Sequence, residues 1–309
     1  MKLLRKNFYK KKVLITGHTG FKGSWLTFWL QQLGAKICGI SKDIPSQPSL
    51  YNTLILKKKI LDHRFDIKKL IKLKKIVKKF KPDFIFHLAA QSLVKKSYLD
   101  PVNTFNTNAI GTCNILESAR NLNNRCHIVI ITSDKSYKNK ELLRGYKETD
   151  ELGGYDPYSA SKGCAEFIIQ SYIKSFFINK KNLKIGITRA GNVIGGGDWS
   201  ANRIIPDCFR SFSNNKFVNI RSPNSTRPWQ HVLEVLAGYL SLAINLKKKP
   251  YLNGEVFNFG PKNFQNKRVI DVIKQISFFL PSMKWKIKKK NTFKESKLLK
   301  LNSSKAKKN

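Results

Sequence analysis

The sequence predicts an α/β protein with a doubly wound parallel sheet and a smaller lobe at its C-terminal end. Short β-branched runs alternate with longer helical patterns through the first 190 residues, as the βαβ units of a parallel sheet require. A glycine-rich turn follows the first strand, and after Ala190 the pattern changes to loops rich in Gly, Asn, Pro and Trp. With 309 residues, of which 41% are hydrophobic, the chain can bury a sizeable core.

The individual elements follow in chain order. The run KVLIT at 12–16 predicts a buried strand, and the residues after it predict a helix at 20–33 and a strand at 36–40. A basic amphipathic pattern at 68–80 predicts a crossover helix with a solvated lysine face, although such a helix can also bind a membrane or a partner. Further predicted strands lie at 84–87, 127–132 and 184–188, and further helices at 103–121, 155–177, 232–246 and 268–280.

The charge is strongly positive, with 59 Lys and Arg against 19 Asp and Glu and a net charge of +40. Such an excess suggests a nucleic-acid or anionic-membrane partner. The lysines are spread over nearly every segment, as at 57–59 and 247–249, which favours a compositional bias instead. We therefore predict no specific nucleic-acid partner. The alternative would need a basic stripe with stacking aromatics, for which Phe264, Trp285 and Phe293 near the tail are the candidates.

Cysteine and histidine spacing gives no sign of a disulfide framework or a metal site. The five cysteines contain no CxxC pair, and the five histidines contain no HxxxH or HExxH pattern. The first apolar run, Val13–Ile15, stops at Gly17, and no apolar stretch reaches the ~18 residues that a membrane span needs. We predict a cytoplasmic protein without a membrane association.

The turn after the first strand has the pattern GxxGxxG. Gly17, Gly20 and Gly23 allow a tight turn and close approach of the backbone to a pyrophosphate, while Phe21 and Lys22 open the following helix. This pattern at the first strand–turn–helix of the chain predicts a dinucleotide-binding site.

The choice between NAD and NADP depends on the end of the second strand. Asp43 favours NAD because a carboxylate can hold the ribose 2′-hydroxyl, whereas Lys42 leaves NADP open. Asp66 and Ile67, before the next helix, are predicted adenine contacts, although Asp66 could equally be a helix N-cap.

Tyr158 and Lys162 lie at i and i+4, on one face of a predicted helix. A lysine ammonium near a phenol favours the phenolate, so the pair predicts a base that takes a hydroxyl proton as a hydride leaves to nicotinamide. Ser133, after the preceding strand, would hydrogen-bond the same substrate oxygen.

This combination resembles the extended short-chain dehydrogenase/reductase family, and finer motifs resemble its CDP-glucose 4,6-dehydratases. The resemblance covers about residues 10–307, and the motifs that carry it lie at 16–25, 87–91, 133–135, 153–158, 189–199 and 227–232. The resemblance implies a Rossmann-type domain that binds NAD, with Ala89 as a further cofactor contact, and a homodimer formed through a helical bundle. It also implies conversion of CDP-D-glucose to CDP-4-keto-6-deoxy-D-glucose.

The implied reaction oxidises C4, eliminates water across C5 and C6, and returns the hydride to C6. By resemblance Asp134 is the acid for the leaving hydroxyl, which requires a raised pKa. Lys135 stands where the related dTDP-glucose dehydratases have the glutamate base for C5. A lysine can act as that base only if its pKa is lowered.

The second half of the chain is expected to bind the nucleotide sugar. Arg189, Arg221 and Arg227 are candidate partners of the diphosphate, and Asn192 is a candidate partner of the phosphate or the sugar. The predicted domains are 1–188 for NAD and 189–309 for the nucleotide sugar, with about 229–260 returning to the first domain.

The tail from Lys284 departs from the family pattern. In the family this segment is followed by several tens of residues, so the resemblance implies a truncated sugar lobe, no terminal helix and a frayed end. The competing interpretations are another nucleotide-sugar epimerase or reductase, a basic nucleic-acid-binding protein, and an inactive truncated relative.

Overall fold

The computed structural model describes residues 1–261, 266–287 and 298–309. Seven strands form one parallel sheet, and six shorter strands pair outside it. The strands of the sheet are β1 Lys12–Thr16, β2 Lys36–Ser41, β3 Leu61–Arg64, β4 Phe84–His87, β5 Cys126–Ile131, β6 Leu183–Ala190 and β11 Val256–Phe259. The shorter strands are β7 Val193–Ile194, β8 Val218–Ile220, β9 Thr226–Pro228, β10 Gln230–His231, β12 Asn266–Arg268 and β13 Trp285–Ile287.

The strand order in the sheet is β11-β6-β5-β4-β1-β2-β3, and every neighbouring pair is parallel. Helices cover both faces, so the predicted fold class is confirmed. The helices are α1 Lys2–Phe8, α2 Phe21–Gln32, α3 Leu50–Thr53, α4 Leu70–Phe80, α5 Val94–Leu99, α6 Pro101–Phe105, α7 Gly111–Ala119, α8 Pro157–Tyr172, α9 Ile204–Ser213, α10 Val232–Lys248, α11 Val269–Phe279 and α12 Ser304–Lys308.

Two apolar layers hold the helices against the sheet. On one face α1, α2 and α10 pack on strand residues such as Val13 and Phe86. On the other face α4, α7 and α8 pack on residues such as Leu14 and Ile85. Neighbouring residues of one strand therefore enter opposite layers, and this double burial explains why the central strands are continuously apolar.

Two strands of the sheet were not predicted from the sequence. The strand β3 at one edge has the sequence LDHR and is only partly buried, so it lacks an apolar run. The strand β11 extends the other edge by pairing with β6 and comes after the loops of the second half of the chain. A π-helical turn at 106–110 interrupts the predicted helix at 103–121, and another at 173–177 ends the predicted helix at 155–177.

The segment after β6 forms a smaller lobe with its own core. Residues of α9, β8 and α11 pack there around Cys208, Val218 and Ile273. Trp285 packs at the edge of this cluster, while Phe264 and Phe293 lie outside the described residues. Packing thus accounts for Trp285.

The expectation of a tail without a helix and with a frayed end is wrong for residues 298–309. Residues 304–308 are helical, and Lys305 forms an ion pair with Glu255. The Asn309 backbone oxygen accepts a hydrogen bond of 2.9 Å from Lys249 Nζ. Leu301 is buried next to Tyr146. Among the described helices, none combines the length and apolar character needed to cross a bilayer.

Candidate active site

A cleft with a volume of about 1180 Å³ opens at the carboxyl ends of β1, β4, β5 and β6. Open parallel sheets bind ligands at this edge, beside the point where the strand order reverses. Here that point is β1, which has β2 on one side and β4 on the other. The predicted site residues all line the cleft except Lys162 and Arg189.

The glycine turn is shaped to bring backbone close to a ligand. Gly17 has a φ of +75°, and a Cβ there would lie 2.7 Å from the Ala89 backbone nitrogen. A Cβ on Gly23 would lie 2.0 Å from the Gly17 carbonyl oxygen. Gly20 occupies the N-cap of α2 without a side-chain cap, so the first N–H groups of the helix face the cleft unobstructed. This cradle fits the pyrophosphate of a dinucleotide.

Two buried imidazoles, those of His18 and His87, form hydrogen bonds next to the glycine turn. His87, at the end of β4, lies 2.7 Å from Thr16 Oγ1 and 3.1 Å from Thr112 Oγ1, and burial lowers its pKa to about 3. His18 lies 3.0 Å from Asp62 Oδ1 and contacts Ser41 Oγ. Burial lowers the pKa of His18 to about 4, although Asp62 acts in the opposite direction. Both rings are neutral structural links at ordinary pH.

The residues predicted to contact the adenosine lie together at one end of the cleft. Asp66 accepts a hydrogen bond of 3.0 Å from the Lys68 backbone N–H, and its Oδ2 lies 3.7 Å from Lys42 Nζ. Asp66 therefore stabilises the turn before α4 and faces the cleft, but it is not the N-cap of α4, which is Lys69. Asp43 lies in the same lining, and its backbone oxygen accepts a hydrogen bond from Thr19.

Ser133, Asp134 and Lys135 form a short turn after β5. Ser133 Oγ donates a hydrogen bond of 3.0 Å to Asp134 Oδ1 and accepts one from the Lys135 backbone N–H. The other carboxyl oxygen, Asp134 Oδ2, is buried without a hydrogen-bond partner among the described residues. Burial raises the pKa of Asp134, although Lys135, Ser133 and Arg227 act to lower it. A carboxyl group whose pKa is raised and whose second oxygen is free is suited to act as an acid.

The helix α8 brings Tyr158 and Lys162 under this turn, and both side chains are buried. The predicted lowering of the tyrosine pKa is wrong in this structure. Burial raises the pKa of Tyr158 to about 12, and the hydrogen bond with Ser133 lowers it by less. Burial also lowers the pKa of Lys162 to about 8, against the nearby charge of Glu166. The pair lies next to Ser133. The Tyr158 phenol, however, holds its proton more tightly than the spacing of the pair suggested.

Arg189 is not a partner of the diphosphate in this structure. Its side chain is 3% exposed and forms an ion pair with Glu166, with 2.5 Å between Arg189 Nη2 and Glu166 Oε2. The guanidinium also stacks on the Tyr137 ring, 4.5 Å from its centroid. Residues alternate in direction along a strand, and the register of β6 points this side chain into the fold.

The other predicted substrate residues do line the cleft. Arg227 is buried and lowers the pKa of Asp134, which places it beside the turn formed by Ser133, Asp134 and Lys135. Arg221 and Asn192 lie on the wall formed by the smaller lobe, and Arg221 Nη2 donates to the Asn202 backbone oxygen at 3.3 Å.

Two groups of the site were missed by sequence reasoning, whereas Lys22 belongs to the predicted glycine turn. Arg203 and Asp198 form an ion pair of 2.9 Å on the cleft wall. Burial lowers the pKa of Lys22 to about 8, and Arg203 and Lys162 lower it further. The second is Glu166, four residues after Lys162 on the same helical face. Its position as the only acidic residue of α8, at i+4 from the lysine, was the available signal.

The parallel sheet, the glycine cradle and the Tyr–Lys helix define an extended short-chain dehydrogenase/reductase. The sequence matches the family model for GDP-mannose 4,6-dehydratase over residues 14–308, and the chain belongs to that family. A CDP-glucose 4,6-dehydratase of Salmonella typhimurium is 44% identical over 98% of this chain and 86% of the relative.

Solved structures share the fold at lower identity. An epimerase of Methanothermobacter thermautotrophicus superposes with a TM-score of 0.86 at 22% identity, covering 100% of this chain and 88% of the other. A dTDP-glucose 4,6-dehydratase of Bacillus anthracis, solved in complex with NAD, gives a TM-score of 0.78 at 21% identity. That match covers 96% of this chain and 89% of the other.

Proposed function

We propose that this chain is an NAD-dependent hydro-lyase that converts CDP-D-glucose to CDP-4-keto-6-deoxy-D-glucose and water. The observation that carries the proposal is the Asp134 carboxyl group, buried in the cleft with one oxygen free and a raised pKa. Elimination of water needs such an acid, whereas epimerisation and simple reduction do not. The 44% identity to a CDP-glucose 4,6-dehydratase supports the choice of sugar nucleotide.

The cofactor is held by the cradle at the first strand and by residues along the cleft. Gly17, Gly20 and Gly23, with the first N–H groups of α2, bind the pyrophosphate, and Lys22 adds a cation. Asp66 and Ile67 contact the adenosine, and Ala89 contacts the dinucleotide beside the glycine turn. When bound, NAD+ supplies a hydride acceptor for the sugar C4 and a hydride donor for C6.

The first proton leaves the sugar 4-hydroxyl and is taken by Tyr158. Ser133 hydrogen-bonds the Tyr158 phenol and stabilises the phenolate, since this hydrogen bond lowers the pKa of Tyr158. Lys162 lies one helical turn away and holds the ribose beside the phenol. Because burial keeps the Tyr158 pKa high, these two partners are required for the proton to move.

Elimination uses the turn itself. The 4-ketone makes the C5 proton acidic, and the C6 hydroxyl leaves with the proton of Asp134. Lys135 is the candidate base for the C5 proton, a role that requires its neutral amine form. The hydride removed from C4 returns to C6 and a proton returns to C5. Lys135 returns its proton to C5, and transfer of the Tyr158 proton to Asp134 restores both groups. The sugar thus loses one water and undergoes no net oxidation.

The smaller lobe binds the nucleotide, within proposed domains of 1–188 and 189–309. Arg227 and Arg221 neutralise the diphosphate through their guanidinium groups, and Asn192 hydrogen-bonds the sugar or a phosphate. The segment 229–260 returns to the first domain, where α10 packs on the sheet and β11 joins it.

A homodimer in the cytoplasm completes the proposal. Apolar side chains are exposed on the neighbouring helical segments α6 to α8, with Val102 at 70%, Ile110 at 48% and Phe167 at 61%. Burial of these side chains against a second copy would remove apolar surface from water. The five cysteines are all free thiols, as in a reducing compartment. Sedimentation and cell fractionation test the two statements.

The function is tested by incubating the purified protein with NAD+ and CDP-glucose, and then measuring the alkaline absorbance of the keto sugar. UDP-glucose, dTDP-glucose and GDP-mannose are the matched alternatives. We expect product with CDP-glucose far above the others. Formation of an epimer without keto sugar would instead favour the epimerase interpretation. Tight, sequence-selective DNA binding at physiological salt would favour the nucleic-acid interpretation.

A further inference from the structure

A buried carboxylate connects the catalytic turn to the helix that carries the Tyr–Lys pair. We propose that Glu166 is a positioning residue, whose carboxylate fixes both ends of the turn bearing Ser133, Asp134 and Lys135. The roles of those three residues rest on the proposed function, but the geometry of the connection does not.

The contacts enclose the turn from both sides. Thr132 Oγ1 donates to Glu166 Oε1 at 2.6 Å, immediately before the turn begins. The Ser136 hydroxyl, immediately after Lys135, lies 3.1 Å from the same oxygen and 2.7 Å from the Ser133 carbonyl oxygen. Glu166 is 0% exposed, so these contacts are not in competition with water.

Arg189 holds the carboxylate itself in place. Its Nε and Nη2 donate to the two oxygens of Glu166 at 2.7 and 2.5 Å, which is a bidentate arrangement. The guanidinium is fixed in turn by the Tyr137 ring and by the Glu148 backbone oxygen. The carboxylate therefore has a single orientation from which it can hold the turn.

The consequence is a common frame for the catalytic groups. Glu166 follows Lys162 by one helical turn and Tyr158 by two, so the turn and the pair are fixed to the same helix. A displacement of about 1 Å between reacting groups can cost on the order of 10²-fold in rate. Loss of the connection should thus slow chemistry more than it weakens binding.

The test removes the two hydroxyls, and with them their hydrogen bonds to the Thr188 and Ser133 carbonyl oxygens, and leaves the ion pair intact. Glu166→Gln would leave the Arg189 guanidinium buried without its carboxylate, which destabilises a fold severely. We instead expect the double variant Thr132→Val with Ser136→Ala to fold and to lose about 10- to 100-fold in kcat, with KM for CDP-glucose within about twofold.

Matched controls separate positioning from general loss of packing. Thr27→Val removes a buried hydroxyl that has no described hydrogen-bond partner, and Ser118→Ala removes one that donates within α7. Both controls should retain wild-type kcat. Thr132→Ser keeps the hydroxyl and should restore most of the kcat that Thr132→Val loses. An unchanged kcat in the double variant, or equal losses in the controls, would overturn the proposal.

A second measurement does not depend on the substrate. Amide hydrogen exchange of the peptide covering 132–137 should be at least tenfold faster in the double variant than in Thr27→Val. Wild-type protein that makes no keto sugar would refute the proposed function alone, because the exchange comparison still applies. Equal exchange in the double variant and the control would refute the connection, whatever the substrate.

Discussion

Replacing Asp134 with Asn should stabilise the protein at neutral pH while stopping the elimination. Burial raises the pKa of this carboxyl group, so its ionised form costs free energy in the folded state. This cost is absent below about pH 3.8, the pKa of Asp134 in the unfolded chain. It grows as the pH rises to the pKa of Asp134 in the folded protein and is constant above that pH. Each unit of pKa difference corresponds to about 1.4 kcal/mol.

The amide keeps the oxygen that accepts from Ser133 but has no proton to give to the leaving hydroxyl. A general acid contributes about 10²- to 10⁴-fold, so keto-sugar formation should slow by that factor. Reduced nicotinamide should accumulate instead, visible by its absorbance, because removal of hydride from C4 comes before elimination. Urea unfolding at a series of pH values from 5 to 8 should show a gain in stability that rises with pH and becomes constant above the folded pKa.

Asp150→Asn is the control with the opposite sign. Its side chain is paired with Arg144 at 2.6 Å, and hydrogen bonding from Arg144 holds the pKa of Asp150 low. That variant should lose stability at pH 7 and keep its turnover. If Asp134→Asn blocks reduction of nicotinamide as strongly as elimination, Asp134 positions the substrate and the acid role is refuted. Product at the wild-type rate would refute the dehydration mechanism.

Three further variants test the rest of the site. Tyr158→Phe should abolish turnover but change the affinity for NADH, measured by fluorescence, by no more than about twofold. The control Tyr172→Phe, on the same helix, should keep its turnover. An active Tyr158→Phe variant would contradict the base assignment. Burial lowers the Lys162 pKa from 10.5 to about 8, so Lys162→Met should gain up to about 3 kcal/mol in unfolding free energy at pH 7, with the gain fading between pH 8 and 10.5. Its turnover should be lost, and a stability gain that does not depend on pH would contradict this reasoning. Gly17→Ala should weaken dinucleotide binding at least tenfold, because φ is +75° and a Cβ would clash, whereas Gly196→Ala, whose Cβ meets nothing within 4 Å, should bind normally.

The fold could be predicted where burial alone determines which positions of the sequence are apolar. The central strands β1, β4 and β5 are covered on both faces and are therefore mostly apolar, which made them recognisable in the sequence. The edge strand β3 was not visible because its polar residues are only partly buried and it pairs with one neighbour. The π-helical turn at 106–110 left no trace in the apolar periodicity, because the segment stays helical on both sides.

The site could be predicted where a motif places backbone or helix residues at fixed spacing. The glycine turn and the Tyr–Lys pair are of this kind. The direction of Arg189 depends on the register of β6 against its neighbours, which a single sequence does not specify. The high pKa of Tyr158 likewise depends on how deeply α8 is buried, so spacing alone predicted the wrong direction.

The neutral imidazoles beneath the glycine turn make this protein sensitive to mild acid. His18 and His87 have folded pKa values of about 4 and about 3, against 6.5 when unfolded. Below pH 6.5 the unfolded chain takes up two protons that the folded chain refuses, so stability falls as the pH falls. Between pH 6.5 and 4.5 the two rings together remove about 5 kcal/mol, which equals the whole stability of many domains. Elution or storage in acidic buffer should therefore inactivate the enzyme at a pH where most of its carboxylates are still ionised.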